Sequence, residues 1–233
     1  MTDLMQRVHP FQAALFDCDG VLVDSENITN RVLQQMLNES GWHITEAECM
    51  RCFVGKMVIS QKALIEANTG KPLTDTWMAE FYQRRNRALA EEVCAIDGAV
   101  AMVQSIYAAF SGRIACASGA DRAKLTMQME KVGLWPYFES RVFSGHDVAA
   151  NKPAPDVYLA AALGLGVLAT NCVVIEDSVT GVRAGAAAGA TVLAFCPHGH
   201  HTSAHALKVA GAQVVFADLA TLTSALCQHQ QVH

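Results

Sequence analysis

Six short runs of apolar residues constrain this chain most: AALFD (13–17), RIACAS (113–118), RVFSG (141–145), CVVIED (172–177), TVLAFC (191–196) and QVVFAD (213–218). Each is apolar on successive residues rather than on every second one, which a strand tolerates only when both of its faces are covered. Helix-length segments such as DRAKLTMQMEKVGL and PDVYLAAALGL separate most of them. Buried strands alternating with helices predict a doubly wound α/β fold on a parallel sheet, with ligands beyond the carboxyl ends of the strands.

One interval breaks this rhythm. Between Asp24 and Ala95 no run reads as a strand, and ITNRVLQQMLNES, SQKALIEAN and DTWMAEFYQRRNRALAEEV all read as helices. Gly41, Gly55 and Gly70-Lys71-Pro72 punctuate them. The expected organisation is an α/β core of residues 1–23 and 96–233 with an all-α cap, 24–95, inserted after the first strand. Its hinges fall near Asp24–Glu26 and Ala95–Gly98.

Composition narrows the function. With 52% hydrophobic and 17% charged residues the chain is a packed globular protein, and a formal net charge of −5 exerts no long-range pull on nucleic acid or anionic membranes. Any anion it binds is held by a few placed donors. The eight cysteines are scattered singly, the N-terminal MTDLMQRVHPF lacks an apolar signal core, and no run approaches a membrane span. Reduced thiols in a cytoplasmic protein are the expectation. Cys49 and Cys52 form a CxxC without a second ligand pair, a weak zinc signal.

Chemistry gathers where the strands end. The first run leads into Asp17-Cys18-Asp19-Gly20, the second into Ser118-Gly119 and the fourth into Glu176-Asp177-Ser178, while Lys152 follows the third in NKPAPD. Each alone has a plain explanation: Asp19 as a turn residue, Ser118 or Ser178 as a helix cap, Lys152 as a solvated lysine. Together they bring polar groups from four strands to one sheet edge. Strand alternation sends Asp17 and Asp19 to one side and Cys18 to the other. Two carboxylates so close ionise cheaply only beside a cation, and Glu176-Asp177 complete an oxygen-rich nest that suits Mg²⁺. Lys152 and the Ser118 hydroxyl supply counter-charge for an anionic substrate. Cys18 is rejected as a nucleophile, having no nearby histidine in sequence and the wrong direction.

Asp17-x-Asp19-Gly20-Val-Leu-Val-Asp24-Ser25-Glu26, Ser118-Gly119, Lys152-Pro153 and Glu176-Asp177-Ser178-x-x-Gly181 resemble, in order, the four motifs of the haloacid dehalogenase-like hydrolases. The helical insert resembles the cap of that superfamily's β-phosphoglucomutase-like, sugar-phosphatase branch. The resemblance implies a Rossmann-like core and a Mg²⁺-dependent phosphatase acting on a small phosphorylated metabolite. Asp17 would be the nucleophile forming an aspartyl-phosphate, and Asp19 the general acid and then base. Metal ligands would be Asp17, the Asp19 carbonyl, Asp177 and, directly or through water, Glu176. Ser118, Gly119 and Lys152 would hold phosphate, with Ser118 and Lys152 part of the catalytic set. In the cap, Lys56 of Gly55-Lys56 would meet the leaving group, with Arg51 a poorer candidate. A monomer is expected, since a capped enzyme closes its own site.

Other readings compete. A β-phosphoglucomutase-type phosphoryl transfer shares the core, but mutases of that kind carry a histidine ten positions after the second aspartate, where this chain has Thr29. Dehalogenation needs neither metal nor second aspartate, phosphonate hydrolysis lacks the second aspartate, and a binding module would not need the intact set. Gly181, Gly185 and Gly189, four apart, predict a helix face packed on the sheet. Asp24 reads as a cap or hinge residue, Arg84, Arg85 and Arg87 as a solvated face, and HGHHTSAH (198–205) as a solvated loop.

Overall fold

Ala, Val, Leu and Ile fill the six apolar runs, and each run forms a strand lying between layers of helix. The structure is a computed structural model that describes residues 10–53, 56–199 and 202–231. In chain order, β1 (Ala13–Phe16) and β2 (Val23–Asp24) precede four helices, α1 (Glu26–Glu39), α2 (Glu46–Phe53), α3 (Lys62–Thr69) and α4 (Asp75–Glu92). Then come β3 (Cys94–Ala95), α5 (Ala99–Ala109), β4 (Ile114–Ser118), α6 (Arg122–Lys131), α7 (Trp135–Phe138) and β5 (Val142–Ser144). The chain continues through α8 (Asp156–Gly164), β6 (Cys172–Glu176), α9 (Val179–Ala187) and β7 (Thr191–Phe195). It closes with α10 (Ala204–Ala210), β8 (Val214–Phe216) and α11 (Leu219–Gln231).

The long strands form one six-stranded sheet in the order β5-β4-β1-β6-β7-β8, every pairing parallel. The doubly wound α/β core read from the sequence is therefore present. β1, β4 and β6 are buried at every residue, which is why their sequences run apolar without alternation. Leu15, Ala117, Val174 and Val192 lie in one cluster with Tyr158 and Val157 of α8. The two-residue strands β2 and β3 pair in a separate small sheet; they are too short to leave a pattern in the sequence.

The chain divides into two compact units, one running up to Asp24 and from Ala95 onward, the other spanning Ser25–Cys94. The second is all helix from α1 to α4, as its residue pattern requires. Val32, Leu33, Met36 and Leu37 make the buried stripe of α1, and Phe53 and Phe81 pack in the same cluster. Burying each such side chain contributes about 1.5–3 kcal/mol. Thr74 caps α4, accepting from the Trp77 N–H at 3.2 Å. The three arginines of α4 do not share one solvated face. Arg84 pairs with Glu39 and Glu80 at the surface and Arg87 is exposed. Arg85 is buried, its guanidinium 4.9 Å from the centre of the Tyr82 ring.

Candidate active site

The register of the sheet builds the site. Phe16 sits opposite Cys116 of β4 on one side and Ile175 of β6 on the other. The next residue, Asp17, thus falls in a row with Ala117 and Glu176, and its N–H donates to the Ile175 carbonyl at 3.0 Å. Lys152, from the loop between β5 and α8, reaches into this row. Its ammonium donates to Asp17 Oδ1 at 2.6 Å, Glu176 Oε1 at 2.7 Å and the Tyr158 hydroxyl at 2.9 Å. Tyr158 donates in turn to Glu176 Oε1 at 2.9 Å. The other Glu176 oxygen accepts from the N–H groups of Asp177 and Ser178 and from the Ser178 hydroxyl. Lys152 is a buried, fully engaged cation and not a solvated one.

Burial works on these groups in opposite directions. It disfavours the ammonium of Lys152, yet the Asp17 and Glu176 carboxylates outweigh it and hold Lys152 well above the usual lysine range. Burial pushes Glu176 up, but Lys152, the Ser178 N–H and the Tyr158 hydroxyl bring it below the ordinary value. Asp17 is pushed well above its ordinary value by burial, and Glu176 and Asp177 add to this while Lys152 opposes it.

Asp19 is held elsewhere. β1 ends at Phe16, and the chain turns tightly beyond it, with Leu22 and Val23 N–H groups on the Cys18 carbonyl and Gly20 at φ +81°. Strand alternation therefore stops short of Asp19, and the two aspartates have different lysines. Lys124 of α6 donates to both Asp19 oxygens at 2.9 and 2.8 Å, and Gln128 Nε2 donates to Oδ1 at 3.0 Å. Sequence reasoning missed Lys124, Gln128 and Tyr158. The four-residue spacing of Lys124 and Gln128 was the available signal, but α6 carries polar residues all along its length.

The loops after β4 and β5 meet at Asn151. Its Nδ2 donates to the Gly119 carbonyl at 2.9 Å and its Oδ1 accepts the Lys152 N–H at 2.7 Å. Ser118 is buried, and its hydroxyl accepts the Ala120 N–H at 3.2 Å. Ser118 and Gly119 thus lie in a turn fixed by polar contacts.

The haloacid dehalogenase-like hydrolase profile matches residues 11–189. The chain belongs to this family. It is 32% identical over 191 residues to the 6-phosphogluconate phosphatase of Escherichia coli K12, covering 82% of this chain and 85% of that one. It is 31% identical over 182 residues to hexitol phosphatase A of the same organism, covering 77% and 81%. The crystal structure of a family hydrolase from Deinococcus radiodurans R1, with bound phosphate and sodium, superposes with a TM-score of 0.79 at 36% identity, covering 94% of this chain and 96% of that one.

Among the described residues of this hydrolase, Asp17, Glu176 and Asp177 each offer an oxygen within 4.8 Å of the others. Three carboxylates face one ammonium there, so a divalent cation fits the charge. The place of the Asp177 carboxylate in this group depends on Gly20: a Cβ at that position would stand 2.1 Å from Asp177 Oδ2. Gly181 does the same for Glu176, since its Cβ would lie 1.5 Å from Glu176 Oε1. Of the three, Glu176 already has five donors on its two oxygens, which favours Asp17 and Asp177 as direct ligands.

Several residues singled out in the sequence take other places. Ser178 caps α9, accepting the Gly181 N–H at 3.1 Å, while also donating to Glu176. Gly185 packs on Val192 and Val174 of the sheet, but Gly189 lies past the end of α9, so the helix face holds two of the three glycines. Asp24 is exposed at the end of β2, and Ser25 takes the cap position of α1. Cys18 is buried, and the neighbouring Cys116 thiol, followed by burial, pushes its own thiol well up. In the helical unit Lys56 is exposed and donates to the Cys52 carbonyl at 2.9 Å, and Arg51 is exposed in the last turn of α2. Gly55, His200 and His201 lie outside the described residues. No helix among the described residues is long and apolar enough to cross a membrane.

Proposed function

We propose that this hydrolase is a Mg²⁺-dependent phosphatase of sugar phosphates or related phosphorylated acids, working through an aspartyl-phosphate on Asp17. The observation that carries the reading is the separate holding of two carboxylates two residues apart, Asp17 by Lys152 and Asp19 by Lys124. Neighbouring carboxyl groups in different settings suit different roles, one as nucleophile and one as acid and base.

In this reading the Asp17 carboxylate attacks phosphorus as the ester oxygen leaves and takes the proton of Asp19. Asp19, now a carboxylate, takes a proton from the water that attacks the phosphoenzyme, releasing phosphate and restoring Asp17. Lys152, the Ser118 hydroxyl and the Gly119 turn hold the phosphoryl oxygens, since alignment and charge supply most of the catalysis in such transfers. Asp17, Asp177 and the Asp19 carbonyl would hold Mg²⁺, with Glu176 acting through water. Bound there, the ion supplies charge that offsets the phosphoryl oxygens and keeps Asp17 ionised.

Inorganic phosphate release from a panel containing 6-phosphogluconate, hexitol phosphates and fructose 1-phosphate tests the reading. EDTA should abolish activity, Mg²⁺ should restore it, and Ca²⁺ should compete while supporting turnover poorly, because its larger and looser shell misaligns the reactants. Full activity after exhaustive chelation contradicts the metal assignment. With β-glucose 1-phosphate and a bisphosphate activator, phosphate should accumulate faster than glucose 6-phosphate, since Thr29 leaves the mutase histidine absent.

Lys56 is proposed to read the leaving group. Lys56→Ala should reduce kcat/KM for the preferred panel member about tenfold more than for p-nitrophenyl phosphate. Equal losses on both remove Lys56 from that role.

A further inference from the structure

Lys124 and Gln128 stand one turn apart on α6, and both are buried, at 6% and 0% exposure. Burying an ammonium group is costly unless a partner repays the lost hydration. The partner here is Asp19, whose two oxygens Lys124 meets at 2.9 and 2.8 Å while Gln128 Nε2 meets Oδ1 at 3.0 Å. The Gln128 amide is oriented from its other end, where the Cys18 thiol donates to Oε1 across 3.9 Å. The first turn of α6 is itself pinned, since Asp121 Oδ1 accepts the Lys124 N–H at 2.9 Å. Cys18, Gln128 and Lys124 thus form a buried frame around one carboxyl group.

We propose that Lys124 and Gln128 are positioning residues that fix the Asp19 carboxyl group for both halves of the reaction, an inference that rests on the phosphatase reading above. In the first half an Asp17 carboxylate oxygen bonds to phosphorus as the P–O bond to the leaving group breaks, the electron pair of the broken bond stays on the leaving oxygen, and the proton of Asp19 moves there. In the second half Asp19 receives a proton from water as the water oxygen bonds to phosphorus and the Asp17–phosphorus bond breaks. Neither lysine nor glutamine gains or loses a proton. Their part is to keep the carboxyl group where both transfers are short.

A leaving-group comparison separates this role from a merely structural one. Phenyl phosphate and p-nitrophenyl phosphate are close in shape, but phenolate leaves poorly without a proton and nitrophenolate leaves well. Their kcat/KM values report the step in which the leaving group takes that proton. Lys124→Met should lower kcat/KM for phenyl phosphate by about 10- to 100-fold and shift its ratio to p-nitrophenyl phosphate by about tenfold. Gln128→Met should shift the ratio in the same direction by less, and Lys124→Arg should recover part of the loss. In an Asp19→Asn background, Lys124→Met should add little further loss, because the group it positions is gone. If Lys124→Met does not fold, Lys124→Arg and Gln128→Met carry the same ratio test. Equal losses on both esters in folded variants, or full additivity with Asp19→Asn, overturn the positioning role. A wild-type protein that releases phosphate from neither ester overturns the phosphatase reading, and the positioning role with it.

Discussion

Asp17→Asn is expected to lower turnover by about 10³-fold or more while the protein stays folded. The amide keeps the size and planarity of the carboxylate at the end of β1 but is a far poorer nucleophile towards phosphorus. Stability should not fall with activity. Burial and the flanking Glu176 and Asp177 outweigh the Lys152 ammonium in disfavouring an ionised Asp17, and Lys152 keeps Glu176 as a partner, so a neutral amide relieves a net cost of the site. Phosphate release together with thermal unfolding checks both halves: activity lost, melting temperature equal or higher. Near-normal turnover in a folded variant would contradict the nucleophile assignment.

Lys152→Met should remove activity and stability together. The ammonium lies 2.6 Å from Asp17 and 2.7 Å from Glu176, with the lysine side chain 8% exposed. Methionine fills most of the volume but leaves two buried carboxylates without their shared cation. Removing one partner of a buried ion pair costs about 3–5 kcal/mol, and for a chain of this size that lowers the melting temperature by on the order of 10 °C. Adding Mg²⁺ should recover part of the lost melting temperature by restoring positive charge beside Asp17, without recovering turnover. An unchanged melting temperature would show that Lys152 is not what stabilises these carboxylates.

The sheet was legible because its information is local. A strand buried on both faces has to be apolar on successive residues, and β1, β4 and β6 write that requirement directly into AALF, IACAS and CVVIE. Asp17, Ser118 and Glu176-Asp177 stood out for the same reason, as polar residues interrupting such runs at their carboxyl ends. The frame around Asp19 was not legible. Lys124 and Gln128 sit on a helix that also carries Thr126, Glu130 and Lys131, and the sequence does not say which polar face turns inward. Tyr158 was not singled out, because a hydroxyl contact leaves no periodicity. Arg85 was masked by its neighbours Arg84 and Arg87, since burial of one arginine among three depends on where Tyr82 and Phe81 lie. Strand alternation did not reach Asp19: β1 ends at Phe16, three residues before it, and the turn at Gly20 gives each carboxylate its own lysine.

The covalent intermediate is the central claim, and Asp19→Asn makes it observable. Under the proposed mechanism this variant retains the nucleophile but lacks the base that activates water, so phosphoenzyme formed from p-nitrophenyl phosphate should persist. Rapid mixing with Mg²⁺ and this ester, acid quenching and peptide mass spectrometry should place one phosphoryl group on the peptide containing Asp17, and the Asp17→Asn variant should carry none. A phosphoryl group on another residue, or nitrophenol released in a burst with no phosphopeptide, would contradict the account.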